Sequence, residues 1–366
     1  MTVTSAEFQK ITSKFKDLHI LVVGDLMLDR YVWGTADRVS EESPVLVVDV
    51  QKKDYRLGGA GNVVSNLVNL GTKVSLASVV GKDFYGEQLS ERLTDLNVNQ
   101  DAVLLDESRP TTTKKRVIAR GQQLVRIDYE DKSPISNDLE EQLIEKIKSE
   151  AGNYDAVIVS DYAKGVMTPG LLGFFAGKIK EDTFGLKKCP VVLDPKPSNQ
   201  EYYRGFNVMK PNRSEAQALT GIRIIDRESA LAAAKMISSR YKVDLVLLSL
   251  GADGLLLYTG EHPEGILSAT QAQKVYDVSG AGDALVSTFT ACIAAGVDYA
   301  AAGDFANLAA SYVVSEVGTV PVNLACLKDI CLSTTRDSSK SFPDLEITAE
   351  VKGSDSPVQQ IEEKQL

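Results

Sequence analysis

Apolar runs that stop abruptly at a glycine or a carboxylate set the rhythm of this chain. The first is His19-Ile-Leu-Val-Val-Gly-Asp25, and comparable runs recur at 74–80, 156–160, 191–194, 207–210 and 245–249. A short run that is apolar at every position suits a strand buried on both faces, as in a parallel sheet. Stretches of helical period lie between several of the runs, at 62–70, 139–150 and 229–241. Strand and helix in alternation predict a doubly wound, mostly parallel α/β sheet with helices on both faces.

Two segments break the rhythm. Residues 45–56 (VLVVDVQKKDYR) and 111–128 (TTTKKRVIARGQQLVRID) are rich in β-branched residues but charged at alternating positions. That pattern predicts a small antiparallel sheet with one wet face, lying within about 30–57 and 111–128 and serving as a lid or a dimer surface. A pair of hairpins on the edge of the main sheet is the alternative. Residues 1–18 predict a short polar helix. From about Ser333 the sequence turns polar except at Phe342–Ile347, which predicts a folded domain over 1–332 and a mobile tail with one docked strand.

Composition narrows the class. With 366 residues, 43% hydrophobic and 25% charged, the chain suits one large α/β domain with an insertion, or two domains. A net charge of -10 argues against nucleic acid or an anionic membrane as partner. Four cysteines without a CxxC pair, and two distant histidines, support neither a disulfide framework nor a structural zinc. The N-terminus lacks a signal-peptide core and no apolar stretch is long enough to span a bilayer, so a cytoplasmic location is expected.

The candidate chemistry is concentrated in Asp277-Val-Ser-Gly-Ala-Gly-Asp283, just before the helical ALVSTFTACIAAG. Small residues at Gly280, Ala281 and Gly282 let backbone N–H groups converge where the helix adds its positive end, a setting for a phosphoryl oxyanion. Asp283 in that field stays ionised and can take a proton from a hydroxyl. The plainer alternative is a tight turn with Asp283 as a helix cap. The chain has no GxxxxGK[ST], no GxGxxG and no HRD or DFG set. A second cluster, Leu57-Gly-Gly-Ala-Gly-Asn62, is either a ligand approach with Asn62 as an amide donor or a plain loop and cap.

Together GDLMLD (24–29), GGAGN (58–62) and DVSGAGD (277–283) resemble the ribokinase-like carbohydrate kinases, the PfkB family, over about residues 18–331. Within it, GDLMLDRYVWG (24–34), RVSEESPVLVV (38–48), RGQQLVRID (120–128), VSDYAKGV (159–166), LDPK (193–196), QEYYRG (200–205) and PNRSEA (211–216) are similar to the heptose 7-phosphate kinase branch. No HxGH adenylyltransferase site accompanies them, so the resemblance is to a stand-alone kinase, with a separate polypeptide completing ADP-heptose. Thr288 departs from the small residue usual there.

The resemblance implies that Asp283 deprotonates the anomeric hydroxyl of D-glycero-D-manno-heptose 7-phosphate for attack on the γ-phosphoryl group of ATP, with N–H groups of Gly280 to Gly282 stabilising the transferred group. The sugar site takes Asp29, read as the end of the first strand, with Gly58, Gly59 and Asn62; Asp29 alternatively caps a loop or pairs with Arg30. Lys164, Arg120 and Arg126, with Gln122 as a neutral donor, are the candidates for the 7-phosphate, or else surface charges. The nucleotide side takes Asp194, Lys196, Asn212, Ser249, Gly251, Gly254 and Asn307. Glu215 organises Mg²⁺ through water, although Asn212 and Glu215 also fit a capping box. Asp277 is available to a monovalent cation such as K⁺, and a homodimer forms through the lid. Another sugar, such as ribose, fructose or a fructose phosphate, and a non-catalytic sensor are the alternatives.

Overall fold

The apolar runs become neighbouring strands of one sheet. In the computed structural model, which describes residues 5–181, 189–270, 275–316 and 318–334, nine strands run edge to edge. They are β13 (Ile266–Ser268), β12 (Leu255–Thr259), β11 (Leu245–Ser249), β10 (Val208–Met209), β9 (Val191–Asp194), β8 (Ala156–Ser160), β1 (His19–Gly24), β4 (Lys73–Gly81) and β5 (Asn99–Asp106). From β11 to β5 every pair is parallel, while β12 and β13 close one edge antiparallel. The tail strand expected at 342–347 lies outside the described residues.

Alternate side chains of the strands feed two cores. Ile20 and Val22 of β1 join Ile158 of β8 on one face, and Leu21 and Val23 join Val157 and Val159 on the other. The first face is covered by α1 (Ser5–Thr12), α2 (Ala60–Asn69), α3 (Phe84–Asp95), α8 (Ala281–Ala294), α9 (Tyr299–Val314) and α10 (Leu324–Thr334). The second is covered by α4 (Asn137–Glu150), α5 (Pro169–Glu181), α6 (Arg213–Thr220) and α7 (Arg227–Tyr241). Side-chain caps start several of these helices: Asp83 on α3, Ser136 on α4, Asp226 on α7 and Asp298 on α9.

Strand order reverses beside β1. The chain moves from β1 to β4 and β5 on one side, then returns to β8 on the other. The crevice at the carboxyl ends of β1 and β8 is therefore the switch point at which open α/β sheets hold ligands.

A second sheet rises from that end, in the order β3 (Leu46–Gly59), β2 (Leu26–Val39), β6 (Thr113–Ala119) and β7 (Gln122–Tyr129). Its two hairpins are antiparallel, but the central β2–β6 pair is parallel. That pairing is possible because β4, α3 and β5 intervene and supply the long connection parallel neighbours need. Tyr31 of β2 meets the Thr319 hydroxyl at 3.2 Å, and Arg56 of β3 donates to the Thr319 carbonyl at 2.8 Å, which ties this lid to the body.

One expectation is corrected here. The first main-sheet strand stops at Gly24, where an added Cβ would lie 2.0 Å from the Ser160 carbonyl oxygen. The chain turns at Asp25, so Asp29 belongs to the lid strand β2 rather than to the end of β1.

Candidate functional site

Gly280 starts α8 with φ +85°, a left-handed conformation that side chains resist. An added Cβ there would also come within 2.9 Å of Asn62 Nδ2. Ala281, Gly282 and Asp283 form the first turn, whose N–H groups point out of the helix end. Asp283 is buried, 7% exposed. It accepts Asn62 Nδ2 on Oδ2 and the Tyr162 hydroxyl on Oδ1, both at 2.6 Å. Asn62 lies in the first turn of α2, so the early glycine cluster brings one helix start against another. Burial raises the Asp283 carboxyl above its ordinary range; the bonds from Tyr162 and Asn62 and the Lys210 charge oppose the rise, and the Asp29 charge adds to it.

A cation the sequence reading passed over stands beside this turn. Lys210 Nζ pairs with Asp194 Oδ1 at 2.9 Å, with the two side chains 4% and 12% exposed. A Cβ on Gly282 would lie only 3.1 Å from that amine. Burial works against the Lys210 charge, yet Asp194 and Glu215 hold its pKa above the ordinary value, while burial pushes Asp194 up to about 7. Lys196 reaches Glu215 Oε1 at 3.5 Å. Asn212 and Glu215 close a capping box on α6, and Asn212 bridges to Ser249 at the end of β11. Gly251 and Gly254 flank the short turn after β11, which Asp253 pins to Arg213 of α6. Asn307 of α9 donates to the carbonyls of Ser268 and Ala269, at 3.1 and 2.7 Å. Asp277 accepts the N–H of Ser279 at 2.9 Å.

The lid contributes a charged face. Arg116 of β6 donates to Asp29 Oδ1 at 2.6 Å, and a Cβ on Gly58 would sit 2.8 Å from Asp29 Oδ2. Strand register puts Asp29 and Tyr31 on the same face as Arg56, Lys114, Arg116 and Arg126. Arg116 and Arg56 lie over the Tyr31 ring at 5.3 and 4.8 Å. Arg126 bonds Asp128 at 3.0 Å, and Gln122 is exposed at the start of β7. Arg120 stands apart: it occupies the β6–β7 turn with φ +53°, pairs with Asp37 at 2.6 Å and is two-thirds exposed. It is six residues beyond Lys114, the partner of Asp29 in register, or roughly 20 Å at about 3.3 Å per residue.

Lys164 is mostly buried and pairs with Glu130 Oε2 at 2.6 Å. Desolvation opposes ionisation of Glu130, but bonds from Lys164 and Lys132 hold its pKa down to about 2.

The structure thus brings Asp283, Gly280, Ala281, Gly282 and Asn62 together at the switch point, with Asp29, Gly58 and Gly59 at the base of the lid. Tyr162, Lys210 and Arg116 were not among the expected residues. A lysine ending an apolar strand run, Asn207-Val-Met-Lys210, was the available signal for one of them; a buried strand end is a poor place for an idle cation.

Among the described residues no cluster of three or more His, Cys, Asp or Glu could hold a metal ion by itself. Glu215 and Asp194 fit a Mg²⁺ that arrives with nucleotide phosphates and keeps part of its water shell.

The profile of the pfkB family carbohydrate kinases matches residues 17–325. The "Bifunctional protein HldE" of Syntrophotalea carbinolica is 40% identical over 316 residues, covering 86% of this chain and 63% of the relative. The protein of the same name from Pelobacter propionicus is 39% identical over 342 residues, 93% of this chain and 69% of the relative. The chain therefore spans about two thirds of the length of these relatives. In fold it is similar to Escherichia coli phosphofructokinase-2 in complex with substrates and products, with TM-score 0.71, 19% identity and coverage of 87% of this chain and 99% of that one. It is also similar to Arabidopsis thaliana ribokinase complexed with ribose and ATP, with TM-score 0.67, 22% identity and coverage of 86% and 98%. The extent of the profile match and the length of the aligned relatives leave one conclusion: this chain belongs to the pfkB family of carbohydrate kinases, phosphotransferases with an alcohol group as acceptor.

Proposed function

We propose that this protein uses ATP to phosphorylate the anomeric hydroxyl of D-glycero-D-manno-heptose 7-phosphate, giving heptose 1,7-bisphosphate on the way to ADP-heptose. The observation that carries the chemistry is the buried Asp283 carboxylate at the start of α8, bonded on one oxygen by Asn62 and on the other by Tyr162. Asp283 takes the hydroxyl proton, the freed oxygen attacks the γ-phosphorus, and the bond to the ADP oxygen breaks. The first turn of α8 and Lys210 supply positive potential where charge collects on the transferring group. Phosphoryl transfer requires mainly positioning and electrostatics of this kind.

The choice of sugar rests on the strings shared with heptose 7-phosphate kinases and on relatives at about 40% identity. Of the cations expected for the 7-phosphate, Lys164 follows Tyr162 by two residues and so belongs to the loop that touches the base; a phosphate would replace Glu130 as its partner. Arg126 shares the lid face of Asp29, whereas Arg120 does not reach that level. Glu215 and Asp194 would hold a Mg²⁺ that arrives with ATP and would neutralise phosphate charge there, and Asp277 is offered to K⁺. Exposed Val125, Ile127 and Tyr129 of β7 support a homodimer through the lid. A cytoplasmic setting agrees with this substrate, and among the described residues no helix is long and apolar enough to cross a membrane.

The test is a coupled ADP-release assay with Mg²⁺-ATP and heptose 7-phosphate, ribose, fructose or fructose 6-phosphate. Turnover confined to the heptose phosphate is expected. Turnover with another sugar alone would keep the kinase and remove the heptose assignment, and none with any sugar would favour a sensor.

A further inference from the structure

The loop between β8 and α5 is anchored in an unusual way. Asp25 is 1% exposed, and its carboxylate accepts three backbone N–H groups of this loop, from Tyr162 at 2.9 Å, Lys164 at 3.1 Å and Val166 at 3.0 Å. A second buried carboxylate, Asp161, accepts the N–H of Ala163 at 2.7 Å and is itself held by Tyr203 and Asn199, at 2.6 and 2.7 Å. Between these anchors Ala163 adopts φ +53°, a left-handed conformation that costs a residue with a Cβ free energy. Two buried carboxylates and a strained backbone are expensive features for a loop that only joins a strand to a helix. Their common result is to aim one side chain, since the Tyr162 hydroxyl ends 2.6 Å from Asp283 Oδ1 across 121 residues of sequence.

We propose that Tyr162 is the positioning residue for Asp283, and that Asp25 is the anchor that aims it. This rests on the reading of Asp283 as the base. With Asn62 on Oδ2 and Tyr162 on Oδ1, both oxygens of the carboxylate are held and its rotation is restricted. Burial beside Asp283 and other carboxylates keeps the Tyr162 phenol far above its ordinary pKa, so it donates a hydrogen bond without surrendering the proton. The charged groups around Asp283 are Asp29 on β2, Asp194 at the end of β9 and Lys210 after β10; the first raises its pKa and Lys210 lowers it. Tyr162 acts in the same direction as Lys210, favouring the ionised form of the base against the effect of burial. Removing its hydroxyl therefore moves the Asp283 titration, and the acid limb of turnover, to higher pH.

The experiment is a carboxyl ¹³C NMR titration of the full-length, ligand-free protein, with the Asp283 signal assigned by its loss in Asp283→Asn. In Tyr162→Phe the Asp283 midpoint should rise by roughly one pH unit. Incorporating 3,5-difluorotyrosine at position 162 keeps the shape, strengthens the donor and should move the midpoint down. In the ADP-release assay Tyr162→Phe should lower kcat about ten- to a hundredfold with the KM for ATP within about twofold, and Asp25→Asn should follow in the same direction. An unmoved midpoint in both 162 variants would overturn the proposal. If Asp283→Asn is inactive while Tyr162→Phe keeps the wild-type kcat and acid limb, the positioning role fails and the base stands. If Asp283→Asn turns over at the wild-type rate, the base reading itself fails.

Discussion

The start of α8 and the lid sheet both carry ionisable side chains, but they hold them differently. Around α8, Asp283, Lys210 and Asp194 are nearly removed from water, and each sits against an identified partner. On the lid, Arg120 with Asp37 and Arg126 with Asp128 pair across surfaces more than half open on the arginine side. The Arg116–Asp29 pair, at the lid's base, is mostly shielded, as are the pairs of Lys114 with Asp128 and Glu130. Exposed pairs contribute little because solvent screens them, whereas a buried charge left without its partner is strongly unfavourable. The comparison teaches that the fold gathers buried, partnered ionisable groups at the switch point and leaves exposed, weakly held pairs on the outer lid.

The largest effect should come from Asp283→Asn. Turnover is expected to fall by about 10² to 10⁴, the range associated with losing a general base, while thermal melting stays at or above the wild-type value because a neutral amide is easier to bury than a carboxylate. Melting well below wild type with partial activity would mean that Asp283 mainly holds Asn62 and Tyr162 in place.

Next is Lys210→Met, which leaves Asp194 buried beside Glu215. Chemical denaturation near pH 7.5 should show a loss of about 3–5 kcal/mol, partly recovered near pH 5.5. The sign follows from burial: the native Asp194 holds its proton more tightly than the unfolded one, so lowering the pH through the native value favours the native state. The wild type carries a weaker form of the same signature. Asp25, raised to about 6, and Asp194, raised to about 7, contribute stability below about pH 4 that is lost as the pH rises through those values. Stability measured across that interval should therefore decline from these two groups, and Asp25→Asn should flatten part of the decline.

Arg116→Met tests the base of the lid. It should raise the sugar KM about tenfold or more with a smaller change in kcat, since Asp29 loses the partner that orients it. The smallest effect belongs to Arg120→Ala, with stability within about 0.5 kcal/mol and unchanged kinetics. A large rise in sugar KM from Arg120→Ala would break the comparison, because the outer lid would then hold substrate phosphate.

Strands β8, β9 and β11 coincide residue for residue with the apolar runs at 156–160, 191–194 and 245–249. Burial on both faces makes such segments unambiguous. Strand β2 was harder to read, because it leaves the interior at Leu26 and ends exposed at Val39, so no single period describes it. The Arg120-Gly121 turn is likewise hard to place, because a left-handed Arg carries no local signal, although it decides which lid arginines share a face with Asp29. The start of α8 was legible because a left-handed N-cap and close helix approach demand glycine locally. Tyr162, Lys210 and Arg116 were not, since their roles depend on partners 121, 16 and 87 residues away. Local pattern fixes backbone requirements; it does not reveal which distant carboxylate a side chain will meet.

The most direct test of the account is a ³¹P NMR time course of Mg²⁺-ATP with heptose 7-phosphate, run with wild type and with Asp283→Asn. ADP and a new anomeric phosphate signal should grow together in the wild type, with neither rising above background in the variant. Equal growth of that signal in both proteins, or ADP appearing in the wild type without a phosphorylated sugar, would contradict it.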